Sequence, residues 1–117
     1  MFKGCVNLKY APSLPAKELD TGCYWGMFED CTSLTVAPVL PATDLVKDNC
    51  YFYMFRNCSK LEKITMLATT IIGYGCLSNW VEGVASNGTF IKAPTMKSLP
   101  EGEDGIPNGW TVANYEE

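Results

Sequence analysis

A unit of 26–27 residues recurs along the chain and limits what it can fold into. Met-Phe-Lys-Gly-Cys at 1–5 returns as Met-Phe-Glu-Asp-Cys at 27–31 and as Met-Phe-Arg-Asn-Cys at 54–58. A leucine stands three residues after each of these cysteines, and the first two units share Ala-Pro and Leu-Pro-Ala. Three copies at one short period are typical of chains that stack small units, since no single unit can bury its own apolar face.

The repeat weakens towards the C-terminus. A third, degenerate unit runs to residue 84, and Phe90–Pro94 echoes Leu34–Pro38. We therefore predict three repeats in residues 1–84, and a degenerate fourth strand with a C-terminal cap in residues 85–117. Within that cap, Trp110–Val112 is predicted to be the last strand.

Each unit combines a helix-like spacing with a strand-like segment. Cys23, Met27 and Cys31 lie four residues apart, which places them on one apolar face of a helix. Leu-Thr-Val-Ala-Pro at 34–38 is predicted to be a short strand that ends at proline, because proline cannot continue a ladder. Its Leu and Ala are three residues apart, so a corner or bulge is needed to turn both inwards. The predicted fold is an α/β solenoid, a right-handed coil with a short strand and a short helix in each repeat.

The motif MFxxCxxL, followed by APxLPATxL and CYxxMF, resembles the BspA-type leucine-rich repeat family. The resemblance covers residues 1–84 well and 85–100 weakly, and the tail IPNGWTV is similar to the C-terminal ends of such proteins. It implies a leucine-rich-repeat solenoid in the C-terminal part of a secreted or cell-surface bacterial protein, with a role in adhesion or host contact. No catalytic residues accompany the family, so the resemblance implies none.

Composition excludes several kinds of chemistry. The chain has no histidine, which removes the commonest general base, the Ser-His and Cys-His nucleophile pairs and His-based metal sites. Its net charge is −4 and its lysines and arginines are scattered singly, whereas a nucleic-acid binder would carry a basic patch. The first ten residues lack the apolar core of a signal peptide, and no stretch is apolar enough to span a membrane. We predict no enzyme activity, no cofactor, no bound metal, no nucleic-acid partner and no membrane insertion.

The six cysteines form two series, one at 5, 31 and 58 and one at 23, 50 and 76. Disulfides, metal binding and redox chemistry are the functional interpretations. Cysteines eight residues apart in a helix are about 12 Å apart, too far for a disulfide, and their spacing does not match a zinc site. Pairing along a series stays open. The interpretation we favour is that of reduced thiols buried at tight repeat positions.

Two sets of residues are candidates for ligand binding. Trp25, Phe52 and Tyr53 lie between the inward positions of the predicted helices, and exposed rings there could stack on a sugar ring or pack on a partner. The alternative is that these rings stack on one another across units. If the strand alanines face the core, the residues that face outwards form a row, the usual ligand surface of a solenoid; the alternative is a solvated face without a ligand. The members of this predicted row are Tyr10, Val36, Lys63 and Lys92.

The acidic loop of Glu101, Glu103 and Asp104 could bind calcium. However, the ligand pattern of a dedicated calcium loop is missing, and a solvated loop is the simpler interpretation.

The predicted function is that of a non-enzymatic binding or adhesion module at the bacterial cell surface, whose partner is a protein or glycan on a host or neighbouring cell. The alternative is a structural spacer or assembly end-cap without a small-molecule ligand. Met1 falls in the middle of a repeat, so we expect the chain to be the C-terminal piece of a longer array, or to start at a gene start assigned too late, with an uncapped N-terminal repeat. A homodimer through that repeat would cover its apolar residues and its unpaired strand edge.

Overall fold

The computed structural model describes residues 2–14, 16–96 and 99–116, and the strands within these ranges are parallel. They are β1 (Val36–Leu40), β2 (Asp44–Leu45), β3 (Lys63–Met66), β4 (Thr70–Ile71), β5 (Thr89–Lys92) and β6 (Thr111–Asn114). β1, β3, β5 and β6 form a four-stranded sheet in that order, and β2 pairs with β4 in a second sheet. β1 and β3 come from successive repeats, as do β2 and β4, so each unit pairs with the next. The described residues form a compact, sheet-rich domain.

A bulge in β1 adjusts the second repeat to the third. Val36 pairs with Lys63, but Val39 pairs with Thr65, so β1 uses one more residue than β3 over the same distance. Ala37, within the bulge, is buried. Leu34 and Ala37 are both buried, as the sequence analysis expects, but the bulge lies between Val36 and Val39 and does not account for Leu34.

The helices predicted at the cysteine and aromatic positions are absent, since none of the described residues is helical. Three turn segments take their place, at residues 21–30, 48–57 and 74–83. Met27 and Cys31 are buried, as the predicted apolar face requires. The burial pattern is thus largely as expected, but the helical half of the predicted α/β fold is wrong.

Within a turn segment, backbone N–H groups alternate between two kinds of partner. In the first segment, odd-numbered residues donate to the carbonyl three residues earlier, while even-numbered residues donate to carbonyls of the second segment. Phe28 N–H, for example, donates to Met54 O (2.9 Å). The second segment bonds to the third in the same way, as in Phe55 N–H to Trp80 O (2.8 Å). Each segment is a string of tight turns, and every second peptide group points along the stacking direction.

This backbone has a positive φ at every fourth residue, a conformation that few side chains tolerate. The positions are Gly22, Gly26 and Asp30, then Asn49, Tyr53 and Asn57, then Gly75, Asn79 and Gly83. Glycine lacks the Cβ that clashes there, and Asn and Asp tolerate it best among the others. The four-residue period of the apolar side chains therefore comes from the turns. A helix, with 3.6 residues per turn, gives nearly the same spacing over two turns, so the two patterns look alike in the sequence.

Aromatic rings stack from one turn segment to the next and form the centre of the core. One column consists of Phe2, Phe28 and Phe55, and a second of Tyr24 and Tyr51. In the first column, the rings are within 4° of parallel and their centroids lie 5.4 and 5.8 Å apart. Trp80 of the third segment contacts the last ring of both columns and is fully buried. Aromatic residues at equivalent positions of successive repeats thus stack directly on one another.

The C-terminal segment closes one end of the stack. The indole N–H of Trp80 donates to Gly105 O at 2.9 Å. The Asp104 carboxylate accepts the backbone N–H of Asn79 at 2.6 Å, a donor for which the described residues form no fourth turn segment. The predicted last strand is confirmed as β6, shifted by one residue so that it begins at Thr111.

Gly26→Ala should lower the free energy of unfolding by about 1–2 kcal/mol, because alanine at the φ of 59° found here carries the left-handed penalty. Gly26→Asn should cost less than half as much, since Asn79 occupies the equivalent position in the third turn segment. Urea melts of the two variants measure the difference. Equal losses would show that packing, and not φ, selects the residue at this position.

Phe55→Ala should cost about 3–5 kcal/mol, because the fully buried ring stacks on Phe28 and also contacts Trp80. Trp25→Ala should cost less than about 1 kcal/mol, since its side chain is 53% exposed. Denaturant titration of both variants gives the comparison. A loss at Trp25 as large as that at Phe55 would contradict the assignment of inner and outer positions.

Candidate functional site

Three aromatic side chains meet on the outside of the first two turn segments, and we call them the aromatic cluster: Trp25, Phe52 and Tyr53. The ring centroids of Trp25 and Phe52 are 4.5 Å apart, and those of Phe52 and Tyr53 are 4.1 Å apart. Trp25 is exposed and the other two side chains are half-buried. The rings therefore stack on one another across units, which is the alternative given in the sequence analysis. They also present aromatic surface to solvent.

Tyr53 holds a backbone conformation that its residue type disfavours. Its φ is 58°, while the equivalent positions of the neighbouring segments carry Gly26 and Asn79. The left-handed penalty for such a residue is about 1–2 kcal/mol. The Arg56 guanidinium lies 4.7 Å from the centre of the Tyr53 ring, a cation–π contact that helps to hold it. Strained residues of this kind concentrate at functional sites, which singles out Tyr53 within the cluster.

Charged side chains of opposite sign alternate beside the aromatic cluster. The Glu29 carboxylate lies 3.4 Å from the Lys3 ammonium and 3.3 Å from the Arg56 guanidinium. Arg56 also lies 3.3 Å from the Glu82 carboxylate. Equivalent residues of successive units stack on one another, so like charges would repel, whereas alternation gives each carboxylate a cation. This column holds Arg56 next to Tyr53.

Three of the four residues predicted to face outwards on the strands do lie in one row. Tyr10 pairs with Val36, and Val36 pairs with Lys63. All three are exposed, and Tyr10 is 72% exposed. The register continues the row to Thr89 of β5, which the sequence prediction missed. We call these four residues the outer row.

Lys92 lies outside the outer row, contrary to the sequence prediction. The sheet pairs it with Met66, three residues beyond the level of Thr89. Its ammonium donates to the carbonyls of Ala93 (3.4 Å) and Met96 (3.0 Å). The Ala-Pro pair of the fourth unit is displaced by three residues relative to that of the second, so the sequence match puts Lys92 in the wrong register.

A shallow concavity of about 490 Å³ opens beside the outer row. Its lining is Val36, Glu62, Lys63, Asn87, Gly88 and Thr89. At Gly88, an added Cβ would lie 2.6 Å from both the Glu62 carbonyl oxygen and the Trp110 ring, so only glycine fits. The concavity offers a carboxylate, an ammonium group and an amide within one small area.

All six cysteines are free thiols in the structure. Four are buried, Cys5 is half-buried and Cys23 is exposed, so the prediction that the thiols are buried is wrong at Cys23 and only partly met at Cys5. Buried thiols donate to carbonyls of the preceding unit, as Cys58 does to Phe28 O (3.0 Å) and Cys76 does to Lys47 O (3.0 Å). The two cysteine series are thus columns of thiol donors, and Cys23 belongs to the turn segment at the N-terminal end of its column.

Burial raises the pKa of the Cys50 and Cys58 thiols to about 12. Burial likewise raises the pKa values of Cys31 and Cys23. The thiolate is the reactive form of cysteine, so these groups are poor nucleophiles at neutral pH.

No group of three Cys, Asp or Glu side chains is arranged to hold a metal ion in residues 2–14, 16–96 and 99–116. The acidic loop contributes to the C-terminal closure instead. Besides the Asp104 contact with Asn79, the backbone carbonyl of Glu103 accepts the N–H of Val81 at 3.3 Å.

Beside the aromatic cluster, sequence reasoning missed Arg56. A signal for it exists, because Lys3, Glu29, Arg56 and Glu82 follow the repeat period and alternate in sign. Read as a column, that pattern predicts an ion-paired ladder beside the Met-Phe motif.

No protein-family model matches this chain, and neither curated proteins nor solved structures give a match. The described residues form no helix that could span a membrane.

Stability should fall as pH rises from about 9 to 12, in part through Cys58. Its pKa moves from an ordinary value of 9.0 to about 12 on folding, so the folded state binds the proton more tightly. The contribution is complete below pH about 9 and declines by up to about 1.4 kcal/mol per pH unit above it. The measurement is the slope of unfolding free energy against pH, with Cys58→Ala as the comparison. An unchanged slope in this variant would contradict the assignment.

Proposed function

We propose that this chain is a non-enzymatic binding or adhesion module of a secreted or cell-surface bacterial protein. On this proposal it is a variant of the BspA-type leucine-rich-repeat solenoid, a right-handed coil in which strings of tight turns replace the short helices. Its ligand is a protein or a glycan. The observation that carries the proposal is the aromatic cluster, with Trp25 exposed and Tyr53 held in a strained backbone conformation.

The chemistry of the cluster favours a ligand that presents C–H groups or flat apolar surface. Aromatic rings bury a large area with few rotatable bonds, and contiguous exposed rings mark interaction sites on soluble domains. Arg56 beside Tyr53 adds a fixed donor, although its charge is shared with Glu29 and Glu82. A pyranose ring stacked on Trp25, with a hydroxyl near Arg56, would use both features.

The outer row supplies a second surface of different character. Tyr10 offers an exposed ring, Lys63 an ammonium group and Thr89 a hydroxyl, next to the concavity that Glu62 also lines. A polypeptide or branched glycan could contact such a row over several strands, as ligands of stacked-repeat proteins do.

Two features support a role without catalysis. The chain has no histidine, and burial raises the pKa values of the Cys50 and Cys58 thiols away from the range in which cysteine is nucleophilic. The carboxylates of Glu29 and Asp104 are engaged in structural contacts with Arg56 and Asn79.

Binding to a glycan array and to cultured epithelial cells, in parallel, tests the proposal. The test variant is Trp25→Ser and the matched control is Tyr74→Ser. Tyr74 is an aromatic residue outside the cluster and is more exposed than Trp25, at 81% against 53%. We expect binding of the unmodified chain to fall at least tenfold with Trp25→Ser and to stay within twofold with Tyr74→Ser. Absence of binding in both formats, or equal losses in the two variants, would contradict the proposal.

The alternative function, a structural spacer or assembly end-cap, has its own supporting observation. The C-terminal end of the stack is closed by Asp104, by the Glu103 carbonyl and by the Trp80–Gly105 hydrogen bond. Such a closed end is what a terminating unit requires. If neither glycans nor cells bind, this becomes the better proposal.

A further inference from the structure

The buried thiols of Cys50 and Cys76 meet at one backbone carbonyl in the interior of the stack. Cys50 Sγ donates to Lys47 O at 3.2 Å, and Cys76 Sγ donates to the same oxygen at 3.0 Å. Burial, and after it the Cys76 thiol, raises the pKa of the Cys50 thiol to about 12. Cys76 is therefore close enough to Cys50 to affect its ionisation.

The backbone brings the two residues to the spacing that a disulfide requires. They occupy equivalent positions in the second and third turn segments, and Tyr51 N–H donates to Cys76 O at 3.0 Å. Chains that are hydrogen-bonded side by side lie about 5 Å apart, and a disulfide joins Cα atoms that are about 4.4–6.8 Å apart. A bond between Cys50 and Cys76 thus needs rotation of two side chains and little movement of the backbone.

The other cysteine series offers an equivalent pair without a shared acceptor. Cys31 Sγ donates to Phe2 O at 2.9 Å, and Cys58 Sγ donates to Phe28 O at 3.0 Å. These two thiols are also buried, but each is held on a carbonyl of its own. Sulfurs that share one oxygen are directed to the same place, whereas sulfurs with separate acceptors are held apart. This difference distinguishes the two pairs.

Cys50 and Cys76 also lie where strand pairing between units is short. β2 and β4 pair over two residues, whereas β3 and β5 pair over four. Each of the two cysteines follows the end of its short strand by five residues. Stacked repeats are stable only through the interfaces between neighbouring units. A covalent bond at this position would therefore strengthen the interface of the second and third units on its weaker side.

We infer that Cys50 and Cys76 form an oxidative modification site, at which hydrogen peroxide produces a disulfide that joins the second and third units. The inference is independent of the proposed binding function. Peroxide is little larger than water, and Cys76 is the more accessible of the two residues, at 2% exposure against 0%.

The reaction has two steps, and it transfers two electrons from the two thiols to one peroxide. First, the Cys76 thiolate attacks one peroxide oxygen, the O–O bond breaks, and the hydroxide released takes up the thiol proton as water. The product is a sulfenic acid, which condenses with a thiol. The Cys50 sulfur then attacks the sulfenic sulfur, the S–S bond forms, the S–O bond breaks, and hydroxide leaves with the Cys50 proton as a second water. The second step is fast because both groups are held together in one folded chain.

Peroxide oxidation followed by peptide mapping tests the inference. The full chain with Cys5→Ser and Cys23→Ser keeps the four buried thiols and removes the half-buried and the exposed one. Circular dichroism checks that it folds; if it does not, the unmodified chain is mapped in its place. After timed exposure to peroxide, the remaining thiols are blocked in urea. Trypsin then separates the four cysteines into four peptides, so mass spectrometry identifies each disulfide.

We expect the Cys50–Cys76 disulfide to form at least tenfold faster than a Cys31–Cys58 disulfide, which is the matched control. The oxidised chain should melt about 10 °C higher than the same sample after reduction, and a further Cys50→Ala substitution should abolish this shift. Equal rates for the two pairs would overturn the inference. It would also be overturned if Cys76 proceeded to sulfinic acid with Cys50 present, or if disulfides formed only between separate chains. An unchanged melting temperature in the cross-linked chain would overturn the stabilising role.

Discussion

The structure depends on one set of hydrogen bonds, those between peptide groups of successive turn segments. They run from one repeat to the next along the stack, as from Phe28 N–H to Met54 O and from Phe55 N–H to Trp80 O. A helix would satisfy its own backbone groups and leave none for its neighbours. A string of tight turns satisfies half internally and uses the other half to hold units together, so the turn side of each unit is bonded to the next as firmly as the strand side.

Stacking in register has a direct consequence for side chains, because each one lies over its equivalent in the next repeat. A residue type can therefore recur at the same repeat position only if two identical side chains pack well against each other. Flat rings do so, as Phe2, Phe28 and Phe55 show. Thiols do so by donating to carbonyls of the preceding unit, which explains a cysteine column without disulfide or metal. Charged residues of one sign cannot recur in this way, because like charges would repel. In this chain, the equivalent positions alternate in sign, as Glu29 and Arg56 do.

Much of this was accessible from the sequence, and the errors have a common origin. The repeat predicts the pairing of successive units, and the four-residue spacing of Met27 and Cys31 predicts their burial. Spacing alone does not distinguish a helix from a string of turns. The 3.6-residue period of a helix and the four-residue period of the turns differ by less than one residue over two turns. The discriminating signal was Gly, Asn or Asp at every fourth residue, at Gly22, Gly26 and Asp30. The prediction that Lys92 lies in the outer row failed for a different reason. In the weak fourth repeat, the Ala-Pro pair is displaced by three residues relative to the strand register, and one matching pair does not reveal this displacement.

A stack held by peptide groups of one orientation cannot have equivalent ends. The side that presents N–H groups needs acceptors, and the C-terminal segment brings them in the form of Asp104 and the Glu103 carbonyl. A carboxylate suits that position, because aligned N–H groups concentrate positive charge there. The opposite side presents carbonyls, two of which accept the N–H groups of Phe2 and Gly4. The position of the acidic loop, which the sequence alone leaves unexplained, thus follows from the direction of the backbone.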